Sequence, residues 1–576
     1  MYIGNKKISF YVGNKKITFF VPPEGSNIIV NVIDRHITLT MDDIIPIRFD
    51  VYPLDTEIIL PVVYIDDPTI AVVKMFTIIP KKEGTTNLTV YTPDGKTLVG
   101  KIPLTVTAGQ DDFIVKDSEI YNVDLSAHSI LNDGITETCD SINTMLLWAK
   151  NNGYKKVIMP GGTYLIGSDK SVKLLSDMIL DLGGSTLQQE ASTGNNITLV
   201  KVPSGTSNCR LINGTLRGDR ESRDTTDNTE FVHGIVSQGN KVKLNNLTIE
   251  QFLGYGIAIG YGDRKAMAYI SKDNLTEVSV NNWSSIDYIN ISNFSENIMV
   301  CNPFGYGGWG SIEDTSKFNI RFYDVNKTFI SEVKMIKPYR EVSIPNGAKY
   351  IMLDLNDTTV GNGNSDFGNS IAFLAEFYPS DYLDIDNCNI QNCKSLGIAY
   401  SGAGTHNVFR NCTFANNGGA NATADIDLED GWEFMRCLVI RDCIFNSSST
   451  RSLVQCAGES VVLYNNTFEG AISISSRTTN TRIIDNEFNY STIKHVDIDT
   501  EWFSGACFIE GNTFTNAWCV WNNMRDNETL QRFYFKDNTF TGGGVINNSK
   551  HEVFKNLKVS SSTSLKGNFE GTIIEN

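Results

Sequence analysis

The chain has 576 residues, carries a formal net charge of -17 at pH 7 and is 41% hydrophobic. This length predicts several domains, and this hydrophobic content argues against general disorder. The negative charge argues against nucleic acid or an anionic membrane as a partner, because phosphate groups are bound by basic surfaces. No segment has the length and apolarity of a membrane span, and the N-terminus lacks the hydrophobic core of a signal peptide. We therefore expect that the protein does not insert into a membrane. We also expect that it is synthesised without an export signal.

The N-terminus contains a tandem duplication, in which YIGNKKISF is followed directly by YVGNKKITF. Apolar and polar residues alternate around a GNK turn, which predicts short hairpins that pack against a copy or a partner. Residues 1–20 resemble the attachment segments of bacteriophage tail proteins. The alternative is an ordinary hairpin that opens a domain.

Residues 21–110 read as a strand-rich domain of sandwich size. The series ITLTMDDIIPIRFDVYPLD, DDPTIAVV and GTTNLTVYTPDG resembles a bacterial immunoglobulin-like domain of the type 2 family. That resemblance implies a spacer or adhesive module that carries no chemistry.

Residues 111–268 begin with a linker and then show apolar residues at helical spacing, namely Ile142, Met145, Leu146 and Ala149. The order of an NDG turn, a helix and the strand pair PGGTYLIG resembles the capping entry of the pectate-lyase-like right-handed β-helix superfamily. A helix at this place would cover the open end of a solenoid, whose core and strand edges are otherwise exposed.

One short phrase occurs seven times in the second half of the chain, as NCNI, NCTF, DCIF, NNTF, DNEF, GNTF and DNTF, starting at Asn387, Asn411, Asp442, Asn465, Asp485, Gly511 and Asp537. Asn and Asp suit a corner, because they tolerate left-handed backbone, and the large apolar residue that follows suits an inward strand position. Such a repeat predicts a parallel β-solenoid. Cys388, Cys412 and Cys443 share the second position, which predicts buried thiols rather than disulfides. The cysteine and histidine spacing does not predict a zinc site.

Residues 269–378 lack the phrase and contain aromatic strands. Together with VSIPNGAKYIMLDL they resemble an inserted carbohydrate-binding-type jelly roll of the kind found in phage tail proteins. Four aromatic residues could stack on sugar rings there, or could serve as core or oligomer contacts: Trp283, Tyr306, Trp309 and Tyr339. Residues 379–576 then read as the second part of the solenoid.

The segment ADIDLEDGWEF contains the sharpest candidate site. If its apolar residues point into the core, then Asp425, Asp427 and Glu429 point out, with Cα atoms of neighbours on the same face about 6.8 Å apart. Carboxylates at such distances fit a glycosidase pair, and their mutual repulsion raises one pKa. A solvated acidic strand and a cation site are the alternatives. The segment also resembles a GIDIEP strand that is common in this superfamily, where it can be structural.

The segment LRGDRESRDTTDNTEFVHGI contains a second candidate site. It resembles the "GDR…E…HGI" passage of phage β-helix tail proteins, and Asp219, Arg220, Glu230 and His233 match that pattern. These residues either bind substrate or form a buried network that braces the loop. The calcium and the Arg or Lys base of a lyase cannot be assigned as a full set, so a hydrolase is favoured over a lyase.

The expected fold is mainly β: a right-handed parallel β-helix with an N-terminal immunoglobulin-like sandwich and an inserted jelly-roll-like domain. The resemblances imply a homotrimeric phage tail spike or receptor-binding protein that sits in the virion beside other tail and baseplate proteins. Its partner would be a cell-wall polysaccharide or teichoic acid of a Gram-positive host. No metal or cofactor is required by this interpretation, with a structural or substrate-bridging Ca²⁺ left open.

Whether the protein is an enzyme stays undecided from the sequence. A depolymerase would act through Asp425, Asp427 and Glu429, with the loop that contains Asp219 and His233 binding the substrate. A non-enzymatic adhesive tail protein is the first alternative. A bacterial polysaccharide lyase or epimerase is the second, and the missing export signal counts against it.

Overall fold

The computed structural model describes residues 7–12, 15–19, 36–52, 61–92, 95–109, 113–223, 230–260, 264–271, 275–279, 282–301, 317–336, 341–356, 370–378, 380–401, 404–419, 424–429, 435–446, 451–456, 458–474, 480–489, 495–499, 507–522, 533–548, 554–555, 557–567 and 569–575. Within these residues the structure is β, apart from one α-helix, Cys139–Asn151, and two 3-10 turns, Asp117–Glu119 and Arg220–Ser222. The mainly β fold predicted from the sequence is therefore confirmed.

The body of the molecule is a parallel solenoid with three faces. Two adjoining faces are joined at a corner, and two strands, Ser207–Arg217 and Asn240–Glu250, run through both of them. The first face also contains Ile120–Asn122, Lys156–Ile158, Met178–Asp181, Asp384–Asp386, Val408–Arg410, Val439–Arg441, Val462–Tyr464, Thr481–Ile484, Cys507–Glu510, Phe533–Lys536, Phe554–Lys555 and Phe569–Glu570. The second face contains Asp133–Glu137, Thr163–Ile166, Thr186–Gln189, Asn389–Gln391, Thr413–Ala415, Ile444–Phe445, Thr467–Phe468, Glu487–Asn489, Thr513–Thr515, Thr539–Thr541, Lys558–Ser560 and Ile573–Glu575.

The third face is a separate parallel sheet of 12 strands. Its strands are Val172–Lys173, Ile197–Val202, Val232–Ser237, Tyr255–Ile259, Leu396–Tyr400, Ala424–Leu428, Arg451–Gln455, Ala471–Ile474, His495–Asp499, Trp518–Asn522, Gly544–Asn547 and Ser564–Lys566. A short two-stranded pairing of Gly404–Thr405 with Met435–Arg436 lies beside it. The three faces enclose one continuous apolar core.

The repeated phrase forms the corner between the first and second faces. Its first residue has left-handed backbone in all seven copies, with φ of 52° at Asn387, 54° at Asn411 and 73° at Gly511, for example. The large apolar residue of each phrase is fully or almost fully buried, as Phe414 and Phe540 show. The role predicted for each of these positions is therefore confirmed.

Two buried columns run along this corner. Neighbouring phenylalanine rings stack face to face, with centroids 4.7 Å apart for Phe414 and Phe445 and 4.3 Å apart for Phe514 and Phe540. The second position of the phrase forms an asparagine ladder, in which the Nδ2 of Asn512 donates to the Oδ1 of Asn538 at 2.9 Å. In the earlier copies that position holds Cys388, Cys412 and Cys443, which are buried free thiols as predicted.

The helix Cys139–Asn151 covers one end of the solenoid core. Its residues Ile142, Met145, Leu146 and Ala149 are buried against that core. The backbone N–H of Cys139 donates to the Oε1 of Glu137 at 2.6 Å, which satisfies one free N–H at the helix start. The helix therefore shields apolar side chains that an open solenoid end would leave in water.

An antiparallel two-sheet sandwich is inserted between the third-face strand Tyr255–Ile259 and the next first-face strand. One sheet contains Arg264–Ser271, Asn297–Cys301, Val342–Ser343 and Ser370–Phe377, and the other contains Leu275–Ser279, Asn282–Ser285, Ile289–Asn290, Lys317–Tyr323, Phe329–Ile336 and Tyr350–Asn356. The solenoid continues in register across the insertion, because Ile257 pairs with Ile398. The two similar segments on either side of the insertion are therefore successive rungs.

The N-terminal sandwich is also built from two sheets. One contains Lys7–Val12, Lys15–Phe19, Ile45–Tyr52, Ala71–Lys74 and Thr77–Pro80, and the other contains Ile37–Thr40, Val62–Ile65, Gly84–Tyr91 and Leu98–Thr107. The duplicated segment forms a hairpin whose first strand pairs with Ile45–Tyr52. We expected this hairpin to pack on a copy or a partner, but it extends a sheet of its own chain, because that strand offered an open edge.

The N-terminal sandwich packs against the first face of the solenoid. Ile44 and Ile79 of the sandwich share an apolar cluster with Val439 and Val462 of the solenoid. Polar contacts surround this cluster, and among them Lys74 Nζ lies 2.7 Å from Asp485 Oδ2. The first face is therefore covered at these rungs.

Candidate functional site

The acidic segment identified in the sequence forms the third-face strand Ala424–Leu428. Ile426 and Leu428 are fully buried in the solenoid core, as predicted. Asp427 lies between them in sequence and is in register with Ala399 and Val454, which belong to an apolar patch outside that core. Asp427 therefore projects from the outer side of the third face.

The prediction that Asp425 also projects outward is wrong. Asp425 is fully buried, and its Oδ1 accepts a hydrogen bond of 2.9 Å from the Nδ2 of Asn417. Strict alternation breaks here, because Ala424 lies in the outer patch while Ile426, two residues later, lies in the core. Asp425 braces the strand from within and is not available to a substrate.

The environment of Asp427 favours its protonated form. The side chain is 8% exposed, and among the described residues its Oδ1 has no hydrogen-bond partner. Burial, together with the charges of Glu429 and Glu230, raises the pKa of Asp427 to about 7, although the charge of Arg451 opposes this rise. With a pKa of about 7, Asp427 still carries its proton in about half of the molecules at neutral pH.

Glu429 follows the strand and lies beside Asp427. Burial raises the pKa of Glu429, and the charge of Glu230 adds to that effect. Its backbone N–H donates to the carbonyl oxygen of Tyr400 at 3.0 Å, which fixes the chain at this point. The charge of Glu429 is among the causes that raise the pKa of Asp427, so the two carboxyl groups lie within range of each other's charge.

Two of the four loop residues predicted to bind substrate serve another purpose. The Oδ2 of Asp219 accepts hydrogen bonds from Arg223 Nε at 2.8 Å and from the backbone of Ser192 at 3.1 Å. The Nη1 of Arg220 donates to the carbonyl oxygen of Asn392 at 2.5 Å. These contacts fit the bracing network that was the alternative interpretation of the loop.

Of the other two residues, Glu230 has a charge that acts on the pKa of Asp427, and His233 lies in the third-face strand Val232–Ser237. The hydroxyl group of Tyr255 donates to the Oε2 of Glu230 at 3.1 Å. Sequence reasoning missed Tyr255 and Arg451. Arg451 pairs with Ala424 of the acidic strand, and Tyr255 lies two strands away on the same face, in register with Leu396, which in turn pairs with Ala424. The only sequence signal for Tyr255 was its place in the GYGIAIG segment. That segment had indicated only a structural step of the solenoid, repeated as SLGIAYSG after the insertion.

The aromatic residues predicted to stack on sugar rings are not assembled at this site. Trp283 is partly buried and packs against the core of the inserted sandwich. This environment favours the core role that was its alternative. Trp309, Tyr306 and Tyr339 lie outside the described residues.

Over the described ranges, three or more His, Cys, Asp or Glu side chains are nowhere grouped so that they could hold a metal ion. The helix of the described structure is too short and too polar to cross a membrane.

Two family models match parts of the chain. Residues 340–488 match the right-handed β-helix region, and residues 64–106 match the N-terminal β-sheet domain of hyaluronate lyase. The first match agrees with the right-handed β-helix that we predicted. The second covers part of the N-terminal sandwich, for which we had expected a bacterial immunoglobulin-like family. A search of curated proteins finds no match.

Three solved structures that the chain resembles at low identity are an epimerase module, an adhesin and a tailspike protein. The A-module of a mannuronan C-5 epimerase from Azotobacter vinelandii has 10% identity and a TM-score of 0.36, covering 79% of this chain and 97% of that one. The surface adhesin PfbA of Streptococcus pneumoniae has 10% identity and a TM-score of 0.37, covering 79% and 91%. A tailspike protein of Acinetobacter baumannii bacteriophage Fri1, described as a capsular polysaccharide depolymerase, has 9% identity and a TM-score of 0.33, covering 86% and 70%.

Proposed function

We propose that the protein binds a cell-surface polysaccharide along the third face of its solenoid and cleaves it as a glycoside hydrolase. The observation that carries this proposal is the state of Asp427, whose pKa is raised to about 7 by burial on the outer side of the strand. A carboxylic acid with a pKa close to the working pH is suited to donate a proton to a leaving group.

The site also supplies the second carboxyl group that glycoside hydrolysis requires. Asp427 donates its proton to the glycosidic oxygen, and a neighbouring carboxylate activates water or attacks the sugar carbon. Glu429 and Glu230 both lie close enough for their charges to raise the pKa of Asp427. Asp425, which the sequence suggested as a third member, is bonded inside the solenoid and takes no part.

The test is cleavage of wall polysaccharide by Asp427→Asn. The amide cannot act as an acid, so we expect the rate of cleavage to fall about 10²–10⁴-fold, as is usual when a general acid is lost. In the native protein, cleavage falls as the pH rises above about 7, because Asp427 then loses the proton that it must donate. New reducing ends measure the hydrolysis.

The matched control is Asp386→Asn, because Asp386 lies on the first face, away from the site. It should cleave at the native rate. Native rates in both Asp427→Asn and Glu429→Gln would show that the acidic strand is not the active site. New unsaturated uronate absorbance would indicate a lyase, and binding without any cleavage would indicate an adhesive protein.

The proposal extends to the biological setting. The protein serves as a tail spike or receptor-binding protein of a phage virion, beside other tail and baseplate proteins, and its target is a wall polysaccharide or teichoic acid of a Gram-positive host. The support is the duplicated N-terminal segment and the order of sandwich, β-helix and inserted sandwich, which resemble phage tail proteins.

We also expect three chains to assemble. A solution mass near three times the chain mass of 63.9 kDa, measured by light scattering, is the predicted result. A mass near that of one chain would contradict the trimer and would leave the hydrolase proposal untouched, because the acidic strand and the Glu230 loop belong to the same chain.

A further inference from the structure

A tryptophan ring rests against the outer side of the third face. Trp518 begins the strand Trp518–Asn522 and is in register with Gly544 of the next strand. A Cβ atom at Gly544 would lie 2.5 Å from the Cζ3 atom and 2.8 Å from the Cε3 atom of the Trp518 ring. The ring therefore fills the space that a side chain at this position would take. A glycine inside a strand is often found where another group approaches the backbone closely, and here that group is the ring.

The outward direction of Trp518 follows from its neighbours in the strand. Cys519 and Trp521 belong to the solenoid core and are almost completely buried. Trp518 and Val520 alternate with them and are partly exposed. Because one side of the Trp518 ring covers Gly544, the exposed part of the ring is turned away from the sheet. The third face therefore presents a flat aromatic surface to solvent, held in one orientation by the strand beneath it.

Strand pairing places this ring on the same side of the sheet as Asp427. Asp427 is linked to Val520 by four successive register pairs, through one residue of each intervening strand. Trp518 lies two residues before Val520, so the two side chains project from the same side. Four strand spacings separate the acidic strand from the strand of Trp518, which is about 19 Å along the solenoid axis.

The surface between the two ends suits an extended polymer. Among the described side chains on this side, Val454, Ala471 and Ser473 are short and partly exposed, and the exposed side chain of Arg451 flanks them. At the near end, Asp427 is 8% exposed and its Oδ1 has no hydrogen-bond partner among the described residues. A buried polar atom in that state is stabilised when a ligand supplies a partner. One end of the surface therefore offers a polar contact and the other an aromatic one.

We propose that the outer third face from Asp427 to Trp518 is one binding track and that Trp518 is its distal subsite, on which a sugar ring stacks. The C–H groups on the face of a pyranose pack against a flat aromatic ring, while the hydroxyl groups at its edge stay in water. This inference rests on the proposed function for the identity of the ligand. Trp518 lies too far from Asp427 to contact the bond that breaks, so it contributes to binding of a long chain and sets a preference for long over short substrates.

The first experiment measures binding without cleavage. The probe is wall polysaccharide purified from a Gram-positive bacterium whose cells the native protein binds, and every variant also carries Asp427→Asn to suppress cleavage. Trp518→Ala should raise the Kd for the polysaccharide about 10-fold, the size expected when one important aromatic contact is lost. Trp518→Phe should raise it less, because phenylalanine keeps a smaller aromatic ring. A side chain at Gly544 would also lie 2.8 Å from the carbonyl oxygen of Ser564, so the variants change Trp518 rather than Gly544.

The matched control is Trp148→Ala. Trp148 is a tryptophan of the cap helix that is 39% exposed and packs on Tyr121 of the first face, so its loss should leave the Kd unchanged. Incorporation of 5-fluorotryptophan reports the contact directly by ¹⁹F NMR. The resonance that disappears in Trp518→Phe should shift when polysaccharide is added, and the resonance that disappears in Trp148→Ala should not. A merely structural role of Trp518 would not move its resonance.

Cleavage kinetics give a second measurement. In the protein that retains Asp427, Trp518→Ala should raise the KM for the polysaccharide about 10-fold and change kcat by about 2-fold or less, because the same binding is lost before and during the reaction. Cleavage of fragments too short to reach from Asp427 to Trp518 should be unchanged. A fall in kcat with an unchanged KM would contradict a distal subsite.

The outcomes separate this inference from the function on which it rests. Either an unchanged Kd in Trp518→Ala or an unshifted Trp518 resonance would overturn the inference, even in an active hydrolase. A protein that never cleaves but loses affinity in Trp518→Ala would refute the proposed hydrolysis, while the binding track would stand. Failure of the native protein to bind the purified polysaccharide would overturn both.

Discussion

Replacing Arg482 with alanine should release the N-terminal sandwich from the solenoid, at a cost of about 3 kcal/mol. Arg482 projects from the first-face strand Thr481–Ile484 and is fully buried. Its guanidinium group donates to the carbonyl oxygens of Ile47 at 2.6 Å, Met75 at 3.1 Å and Asn480 at 2.7 Å. The first two acceptors belong to the sandwich, so this one side chain ties the two domains together.

The expected cost follows from what alanine would leave behind. Three carbonyl oxygens would lose their donor, and two of these hydrogen bonds are buried. Each buried group without a partner costs about 1–3 kcal/mol, which water entering the gap would reduce. The guanidinium group also lies 5.5 Å from the centroid of the Phe508 ring, and alanine would lose that packing too. Arg482→Lys should restore little of the lost docking stability, because the lysine side chain cannot reproduce a planar group with several donors.

Hydrogen exchange of the strand Ile45–Tyr52 measures the release, since undocking removes its cover. Lys74→Ala is the matched control at the same interface, because Lys74 forms a half-exposed ion pair with Asp485, and such pairs contribute about 1 kcal/mol or less. Equal protection in the Arg482→Ala and Lys74→Ala variants would contradict the anchoring role. A normal melting transition of the solenoid in Arg482→Ala would show that only the docking was lost.

Replacing Phe445 with alanine should destabilise the solenoid by about 3–5 kcal/mol, the usual cost of removing a buried phenylalanine. Phe445 is fully buried and stacks on both neighbours in its column, with centroids 4.7 Å from Phe414 and 4.6 Å from Phe468. The rigid parallel strands on either side restrict collapse of the cavity, so the loss should lie towards the upper end of that range.

Proteolysis under native conditions and thermal unfolding both report this loss. Ile444→Ala is the matched control, because Ile444 belongs to the same two-residue strand but is 45% exposed on the outside. It should change stability by about 0.5 kcal/mol or less. Similar losses in both variants would mean that the phenylalanine column does not stabilise the solenoid beyond ordinary surface contacts.

Much of the scaffold could be predicted because its signals are local and repeated. A corner residue such as Asn465 and the buried residue Phe468 serve the same structural purpose in every copy, so seven copies reinforce one interpretation. The cap helix was equally visible, because its buried side follows a 3.6-residue period. The interruption of the phrase likewise marked the inserted sandwich.

The candidate site was only partly predictable. The prediction assumed that inward and outward side chains alternate strictly along the acidic strand. That assumption placed Asp427 correctly outside the core and placed Asp425 wrongly. The error arose because the side chain of Asn417 draws Asp425 into the solenoid at a point where alternation breaks. The pattern of residues within one strand does not show that a side chain from the preceding turn, here Asn417, bonds to one of them.

By itself, the sequence determined the parallel solenoid, its corner and its cap, since each depends on residues a few positions apart. Only the tertiary structure decided that the N-terminal sandwich packs on the first face and that Tyr255 holds Glu230 on the third face, where Asp427 also projects. The physical reason is the register of stacked rungs. It places side chains from distant parts of the chain within reach of each other, and it sets the burial that raises the pKa of Asp427.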